Sequence, residues 1–280
     1  MSLVELMIAM TIGLVLAIVA SNAYLSASTA QSSQTDLTRI QESARFTFDL
    51  LAREARHAGY RDNTVVGANW ITFDTSSAAT SYISGTNDAT TVTLLGGATP
   101  AVLNNSDTIT FQYYGDDNTA NTAADGSILD CTGNPLRRND LLTETIYVAA
   151  DATNSNEPTL FCATSRNGAA ATQVALIPGV ESLQILYGED TDADGVINYY
   201  VPIGNVANLG NVKSIWVSTV IRAPGSSAVA AQSQVFNHFG TTYAPGNAAP
   251  SGDAGSVFTS PTDSRPRRVL SSVMALRNNL

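Results

Sequence analysis

The sequence predicts an α+β protein in which one very long N-terminal helix carries a β-rich head. No proline occurs before Pro100, so no proline interrupts a helix over residues 1 to about 60, which would measure about 90 Å. From about residue 65, short runs of β-branched and aromatic residues alternate with turn-forming residues. We therefore expect three parts: an apolar helix over 1–25, an amphipathic helix over 26–60 that continues into the head, and a β-rich globular head over 61–280.

The second part of the helix has one apolar face. Its apolar residues recur at spacings of three and four: Leu37, Ile40, Ala44, Phe48, Leu51, Ala55 and Ala58. The other faces carry charged residues, including Asp36, and the pairs Arg45–Asp49 and Asp49–Arg53 have the i,i+4 spacing of stabilising ion pairs. Gly59 is expected to end the helix, because glycine readily adopts the left-handed conformation found there.

The head contains many short candidate strands. They are Trp70–Phe73, Thr91–Leu95, Thr108–Tyr114, Thr143–Val148, Thr159–Cys162, Val174–Ile177, Ser182–Tyr187, Ile197–Val201, Val212–Arg222, Val235–Phe239 and Arg268–Leu276. Val212–Arg222 has apolar residues on both faces, so we expect it to be a central strand that the long helix covers on one side. The stretches 75–90, 115–142 and 223–266 are rich in turn-forming residues and are predicted loops; the last is long enough to suggest a functional or mobile segment.

The segment Met1–Leu25 is apolar and long enough to cross a bilayer, which takes about 20 such residues. It holds one acid, Glu5, and an ionisable group in such a segment is costly unless it has a partner. The nearest candidate partner is the free α-amine at Met1 of a neighbouring subunit. A plain signal anchor is the alternative, but it needs neither Glu5 nor an unbroken amphipathic continuation. The segment is therefore expected to serve assembly as well as anchoring.

Several stretches of the chain carry a family resemblance. Residues 2–10, SLVELMIAM, resemble the start of a mature type IV pilin after leader removal, where an N-methylated hydrophobic residue comes first and a glutamate lies four residues later. Residues 41–46, 50–54 and 58–60 (QESARF, LLARE and AGY), with the closing stretch 267–278, are similar to the PilW group of large minor pilins. The resemblance implies the type IV pilin fold, a long helix packed on a head with an antiparallel sheet.

The resemblance also implies a role and a location. The chain would be a structural subunit of a type IV pilus (fimbrium) or related filament, polymerised with other pilins through Met1 and Glu5 by the pilus assembly machinery. After prepilin processing and N-methylation it would span the bacterial inner membrane once, with its head in the periplasm, and then enter the extracellular filament, which can serve motility and cell adhesion. A PilW-like minor pilin of the initiation or tip complex is favoured. A major pilin, a J-type minor pseudopilin of type II secretion and an adhesive or ligand-binding head stay open as alternatives.

Charge and cysteine content narrow the range of partners. The net charge of −10 argues against electrostatic binding of nucleic acid. The cluster of Arg265, Arg267 and Arg268 is expected to offset the acidic head or to contact a neighbouring subunit. Cys131 and Cys162 are an even pair in an exported chain, which favours a disulfide over two buried free thiols.

Residues 190–198, DTDADGVIN, place carboxylates at alternating positions before a glycine, a pattern that can wrap a short loop around a hard cation. The candidate Ca²⁺ ligands are Asp190, Asp192, Asp194, the carbonyl of Val196, and Asn198. Val201 stands where an EF-hand has its bidentate glutamate, so the motif is not an EF-hand. A solvated acidic hairpin turn is the alternative, although repulsion among three carboxylates favours the metal. Structural calcium is thus the one candidate cofactor, and none is required.

No enzymatic activity is predicted. Of the two histidines, His57 lies near the end of the predicted helix, where a surface or packing role is expected, and His238 lies in a predicted strand with no cysteine or acid motif nearby. The sequence has no nucleophile elbow, phosphate loop, dinucleotide fingerprint or zinc-protease motif. We therefore assign no catalytic residues.

Overall fold

The structure is a computed structural model that describes residues 2–62, 73, 81–225 and 230–277. In chain order its elements are helix α1 (Leu3–His57) and strands β1 (Ile83–Thr86), β2 (Thr108–Tyr114), β3 (Leu141–Asp151), β4 (Glu157–Arg166), β5 (Thr172–Pro178), β6 (Val180–Glu189), β7 (Tyr199–Val201), β8 (Val212–Arg222), β9 (Val235–Asn237), β10 (Val257–Thr259) and β11 (Arg267–Ala275). The predicted strand Trp70–Phe73 lies, apart from Phe73, outside the described residues, as does the N-terminal residue Met1.

Helix α1 is continuous through Gly13 and ends where the sequence predicts. Ala58 is its C-cap, and Gly59 follows with a φ of 74°, a left-handed conformation that glycine adopts without strain. The first part of α1 is exposed, and burial begins at Asp36. The predicted apolar face is confirmed: five of its seven residues are buried, and Leu37 and Phe48 are half-buried.

Two predictions for the charged faces of α1 are wrong. Asp36 is buried, because it lies against the backbone of Gly225 in the head. The ion pair Asp49–Arg53 does not form; Arg53 instead pairs with Glu54 at 2.8 Å. The other pair, Arg45–Asp49, is present at 3.7 Å and is highly exposed.

The head consists of antiparallel sheets. Strands β1 to β5 form a five-stranded sheet in sequence order, β11-β8-β6-β7 form a four-stranded sheet, and β9 and β10 form a separate pair. Helix α1 packs on strands from both larger sheets, chiefly β11 and β8. The predicted α+β architecture, a long helix on an antiparallel β head, is therefore confirmed.

Most predicted strands are present, and β2 and β8 have the predicted bounds. β8 lies between β6 and β11, so its central position is confirmed. β1 and β10 were missed within stretches predicted as loops. The predicted strand Thr91–Leu95 is wrong: Thr91 makes an isolated bridge to Ala101, because the chain turns back between Leu94 and Ala98.

A sharp corner at Gly179 passes the chain directly from β5 in the first sheet to β6 in the second. Its φ is 88°, and a Cβ atom there would lie 2.7 Å from the carbonyl oxygen of Arg222. The position therefore requires glycine. The corner brings both sheets into one core, where fully buried side chains from α1, the first sheet and the second sheet meet, among them Leu51, Phe111 and Val217.

Candidate functional site

The N-terminal part of α1 carries the predicted assembly residue, Glu5. The amide N–H of Ser2 donates to Glu5 Oε2 at 2.8 Å, and the amide N–H of Val4 donates to Ser2 Oγ at 3.4 Å. These bonds form a capping box, which satisfies amide groups that otherwise lack partners at a helix start. Glu5 thus has a role within its own helix that the S-x-x-E spacing could have indicated. The partner assigned to it, the α-amine of Met1, lies outside the described residues.

The apolar surface of this part of α1 is not buried by the other residues that the structure describes. Leu3, Leu14 and Leu16 are more than 60% exposed. Within the described residues, α1 is the one helix that is long and apolar enough to cross a membrane. Such a surface needs lipid or other apolar helices around it, because leaving it in water costs about 25 cal/mol per Å².

Where α1 ends on the head, two acids are buried against each other. The hydroxyl group of Tyr113 donates a hydrogen bond to Glu54 Oε2 at 2.6 Å, and its oxygen lies 3.3 Å from Glu144 Oε2. Glu144 Oε2 also accepts the amide N–H of Cys131 at 2.9 Å. Burial raises the pKa of Glu54, and burial together with the charge of Glu54 raises that of Glu144 well above the usual range. A protonated Glu144 can return a hydrogen bond to the Tyr113 oxygen. Sequence reasoning missed this cluster.

The predicted disulfide between Cys131 and Cys162 is present. It joins the loop before β3 to strand β4, beside the buried Glu144. Cys131, Glu144 and Cys162 lie close enough to suggest a metal site, but both sulfur atoms are committed to the disulfide. The bond therefore closes the loop under the end of α1.

Two arginines of the predicted cluster, Arg265 and Arg267, belong to an ion-pair network that links the sheets, whereas Arg268 is exposed. Arg267 on β11 makes two hydrogen bonds to Glu181 on β6 and two to Asp263. Arg222 on β8 bridges Glu181, at 3.0 Å, to Glu157 on β4, at 2.6 Å. The hydrogen bonds from Arg267 hold the pKa of Asp263 at about 2. Arg265 also pairs with Glu157. Arg265 and Arg267 thus offset acids of the head, among them the buried Glu181.

The predicted calcium ligands lie together in the loop between β6 and β7. Carboxylate oxygens of Asp190, Asp192 and Asp194 all lie within 4.8 Å of one another, with Asp190 buried and the other two exposed. The amide N–H of Val196 donates to Asp194 Oδ1 at 2.7 Å. Asn198 was expected to be a Ca²⁺ ligand. In the structure its Oδ1 accepts the Thr191 amide N–H at 2.7 Å, a hydrogen bond that closes the loop.

Neither histidine is placed for catalysis. His238 is buried between the hydroxyl groups of Ser182 and Ser218, each 3.0 Å from a ring nitrogen, and burial lowers its pKa to about 3. His57 is largely buried at the end of α1, and burial, followed by the charges of Arg53 and Arg56, lowers its pKa to about 4. Both imidazoles are therefore neutral packing groups at physiological pH.

A helix that is apolar and exposed in its first part and packed on an antiparallel β head in its second part has the architecture of the type IV pilin-like fold. Residues 145–278, a little under half of the chain, match the family model of the type IV pilus-assembly protein W, PilW. This match agrees with the resemblance to the PilW group that the sequence carries in its closing stretch, residues 267–278.

Among solved structures, the chain is similar to the type IV-like pilin TTHA1219 from Thermus thermophilus. The sequence identity is 17%, the match covers 86% of this chain and 98% of that chain, and the TM-score is 0.46. No curated protein matches the chain in sequence.

Proposed function

We propose that this protein is a low-copy minor subunit of a type IV pilus that acts in the initiation or tip complex. This proposal rests on the match to the pilus-assembly protein W family, combined with a helix whose apolar first part is left exposed by the described residues. Before assembly this part lies in the inner membrane as a single span, with the head in the periplasm. During assembly it leaves the lipid and packs among the apolar helices of other pilins.

In this proposal Glu5 neutralises the α-amine at Met1 of the neighbouring subunit. Its carboxylate is the one charged side chain in residues 1–25, so a helix bundle built from this segment would bury it without another side-chain partner. Breaking a buried ion pair by removing one partner costs about 3–5 kcal/mol. At about 1.4 kcal/mol per tenfold change, losing Glu5 should lower incorporation into filaments more than 100-fold.

The test separates charge from helix capping. Glu5→Ala removes both, whereas Glu5→Gln keeps an oxygen that can accept the Ser2 amide N–H and removes only the charge. Glu42→Gln is the matched control, because Glu42 is an exposed glutamate on the same helix, inside the head-packing part. Each variant is expressed in the native cell, and its amounts in the inner membrane and in sheared filaments are measured.

We expect all three variants to insert into the membrane at the wild-type level. Only Glu42→Gln should appear in filaments. Incorporation of Glu5→Gln at the wild-type level would contradict charge pairing and would leave capping as the role of Glu5. If all three variants entered filaments normally, assembly through Glu5 would be refuted.

A further inference from the structure

The loop between β6 and β7, residues 190–198, lies at the end of the four-stranded sheet away from the Gly179 corner. Asp190 follows directly on β6 and is 2% exposed, and its amide N–H donates to the carbonyl of Asn211 at 3.0 Å. Asp192 and Asp194 stand in the exposed part of the loop. The carboxylates thus share one small space, with one of them anchored in the fold.

Asp190 is the observation that points to a ligand. Its Oδ2 accepts the amide N–H of Gly195 at 3.0 Å, but its Oδ1 is buried and has no hydrogen-bond partner among the described residues. A buried carboxylate oxygen without a partner is costly, and such groups in native proteins are paired or bind a cation. Because this carboxylate is grouped with those of Asp192 and Asp194, a cation placed among them would supply the missing partner.

The chemistry of the free oxygen atoms selects the cation. Asp194 Oδ1 already accepts one hydrogen bond, from the Val196 amide, and Asn198 Oδ1 accepts two from Thr191, so both oxygens are less available to a metal than those without a hydrogen bond. Asp190 Oδ1, the Asp192 carboxylate and Asp194 Oδ2 are left, and water or loop carbonyl groups would complete the shell. An all-oxygen set on a flexible surface loop suits Ca²⁺, which accepts six to eight oxygens in variable geometry, better than Mg²⁺, which requires near-ideal octahedral geometry.

We propose that the β6–β7 loop is a calcium site, with Asp190, Asp192 and Asp194 as its carboxylate ligands. Bound Ca²⁺ would fix the hairpin that presents β7, an edge strand of three residues. The ring of Tyr200 on β7 packs edge-on against Trp216, with ring centroids 5.8 Å apart, and its hydroxyl lies 3.0 Å from Ser214 Oγ. Calcium would therefore stiffen one end of the head, and this site is independent of the assembly role of Glu5.

The test uses the full chain in detergent, stripped of metal with a chelator. Calcium binding is measured by isothermal titration, and Tb³⁺ luminescence, sensitised through the tyrosines of β7, reports on the same loop. Asp192→Asn/Asp194→Asn removes two carboxylates at exposed positions. Asp125→Asn is the control, because Asp125 is an exposed loop acid that also accepts hydrogen bonds from a neighbouring residue, Ser127.

We expect the wild type and Asp125→Asn to bind one Ca²⁺ and to gain several degrees in Tm when calcium is added. Asp192→Asn/Asp194→Asn should bind at least 100-fold more weakly and gain nothing. Without calcium, this variant should unfold at or above the wild-type temperature, because repulsion between carboxylates is relieved; that result separates lost binding from a damaged fold. Absence of wild-type binding at millimolar Ca²⁺, or equal binding by the double variant, would overturn the proposal.

Discussion

Replacing Arg267 with methionine should destabilise the head more than any exposed substitution on the same strand. The side chains of Arg267 and Glu181 are each 2% exposed, and the guanidinium group makes four hydrogen bonds to carboxylates. Methionine fills part of the space but carries no charge. The change therefore leaves Glu181 buried with one remaining ionic partner among the described residues, Arg222, at 3.0 Å.

The size of the effect follows from the burial of the pair. Removing one partner of a buried ion pair costs about 3–5 kcal/mol. Because Arg222 still contacts Glu181, we expect the lower end, a loss of about 3 kcal/mol in the free energy of unfolding. A domain of about 150–250 residues, the size range of the head, loses about 2–4 °C in Tm per kcal/mol, so this corresponds to a fall in Tm of about 6–12 °C.

The neighbouring residue supplies the control. Arg268 is the next residue on β11 and is exposed, so Arg268→Met removes the same charge from the opposite face of the strand. It should change the free energy of unfolding by no more than about 0.5 kcal/mol. Urea unfolding of the full chain in detergent, followed by circular dichroism and by tryptophan fluorescence, measures both variants. Trp216 lies on β8, the strand that pairs with β11.

A double-mutant cycle tests the reasoning behind the number. If the loss comes from an uncompensated Glu181 charge, Glu181→Met in the Arg267→Met background should recover part of the stability. Additive losses for the two substitutions would refute that explanation. Arg267→Met within 1 kcal/mol of Arg268→Met would refute the importance of the pair itself.

Three further predictions concern the junction of α1 with the head. Glu144→Gln should raise the free energy of unfolding at pH 7–8. The pKa of Glu144 is higher in the folded than in the unfolded state, so the wild type loses stability as the pH rises above about 4.5. In urea unfolding the gain over wild type should therefore grow with pH, by about 1.4 kcal/mol per unit of pKa shift removed, and a gain that does not depend on pH would contradict this. Cys131→Ala/Cys162→Ala opens a loop with a sequence separation of 31 and should cost about 3–4 kcal/mol in the same assay. Leu51→Ala, at a fully buried position of α1, should cost about 2–5 kcal/mol, whereas Phe46→Ala, at an exposed position of the same helix, should cost far less.

Local periodicity predicted much of the fold. The apolar stripe of α1 and the bounds of β2 and β8 depend on residues close together in sequence, and these predictions are confirmed. Thr91–Leu95 has the same alternating pattern, but Gly96 and Gly97 both adopt positive φ and turn the chain before a ladder can form. β1 and β10 are too short, and too rich in small polar residues at their borders, to stand out from the loops around them.

The buried polar groups could not be predicted in the same way, because their partners are distant in sequence. Glu54 meets Tyr113 across 59 residues, and Arg267 meets Glu181 across 86. Asp36 belongs to the polar side of the helical pattern, yet the head reaches over it. The loop at Asp190 could be found from the sequence because its three acids lie within five residues. The buried Asp190 Oδ1, which lacks a hydrogen-bond partner among the described residues and so supports the calcium proposal, can be seen only in the folded chain.

Copy number tests the central claim most directly. Filaments are sheared from the native cells, and the amount of this chain relative to the most abundant filament protein is determined by quantitative mass spectrometry. A minor subunit of the initiation or tip complex should be present at a few copies per filament or fewer. If the chain were instead the dominant filament protein, or absent from filaments that the cells do assemble, the proposed minor role would be contradicted.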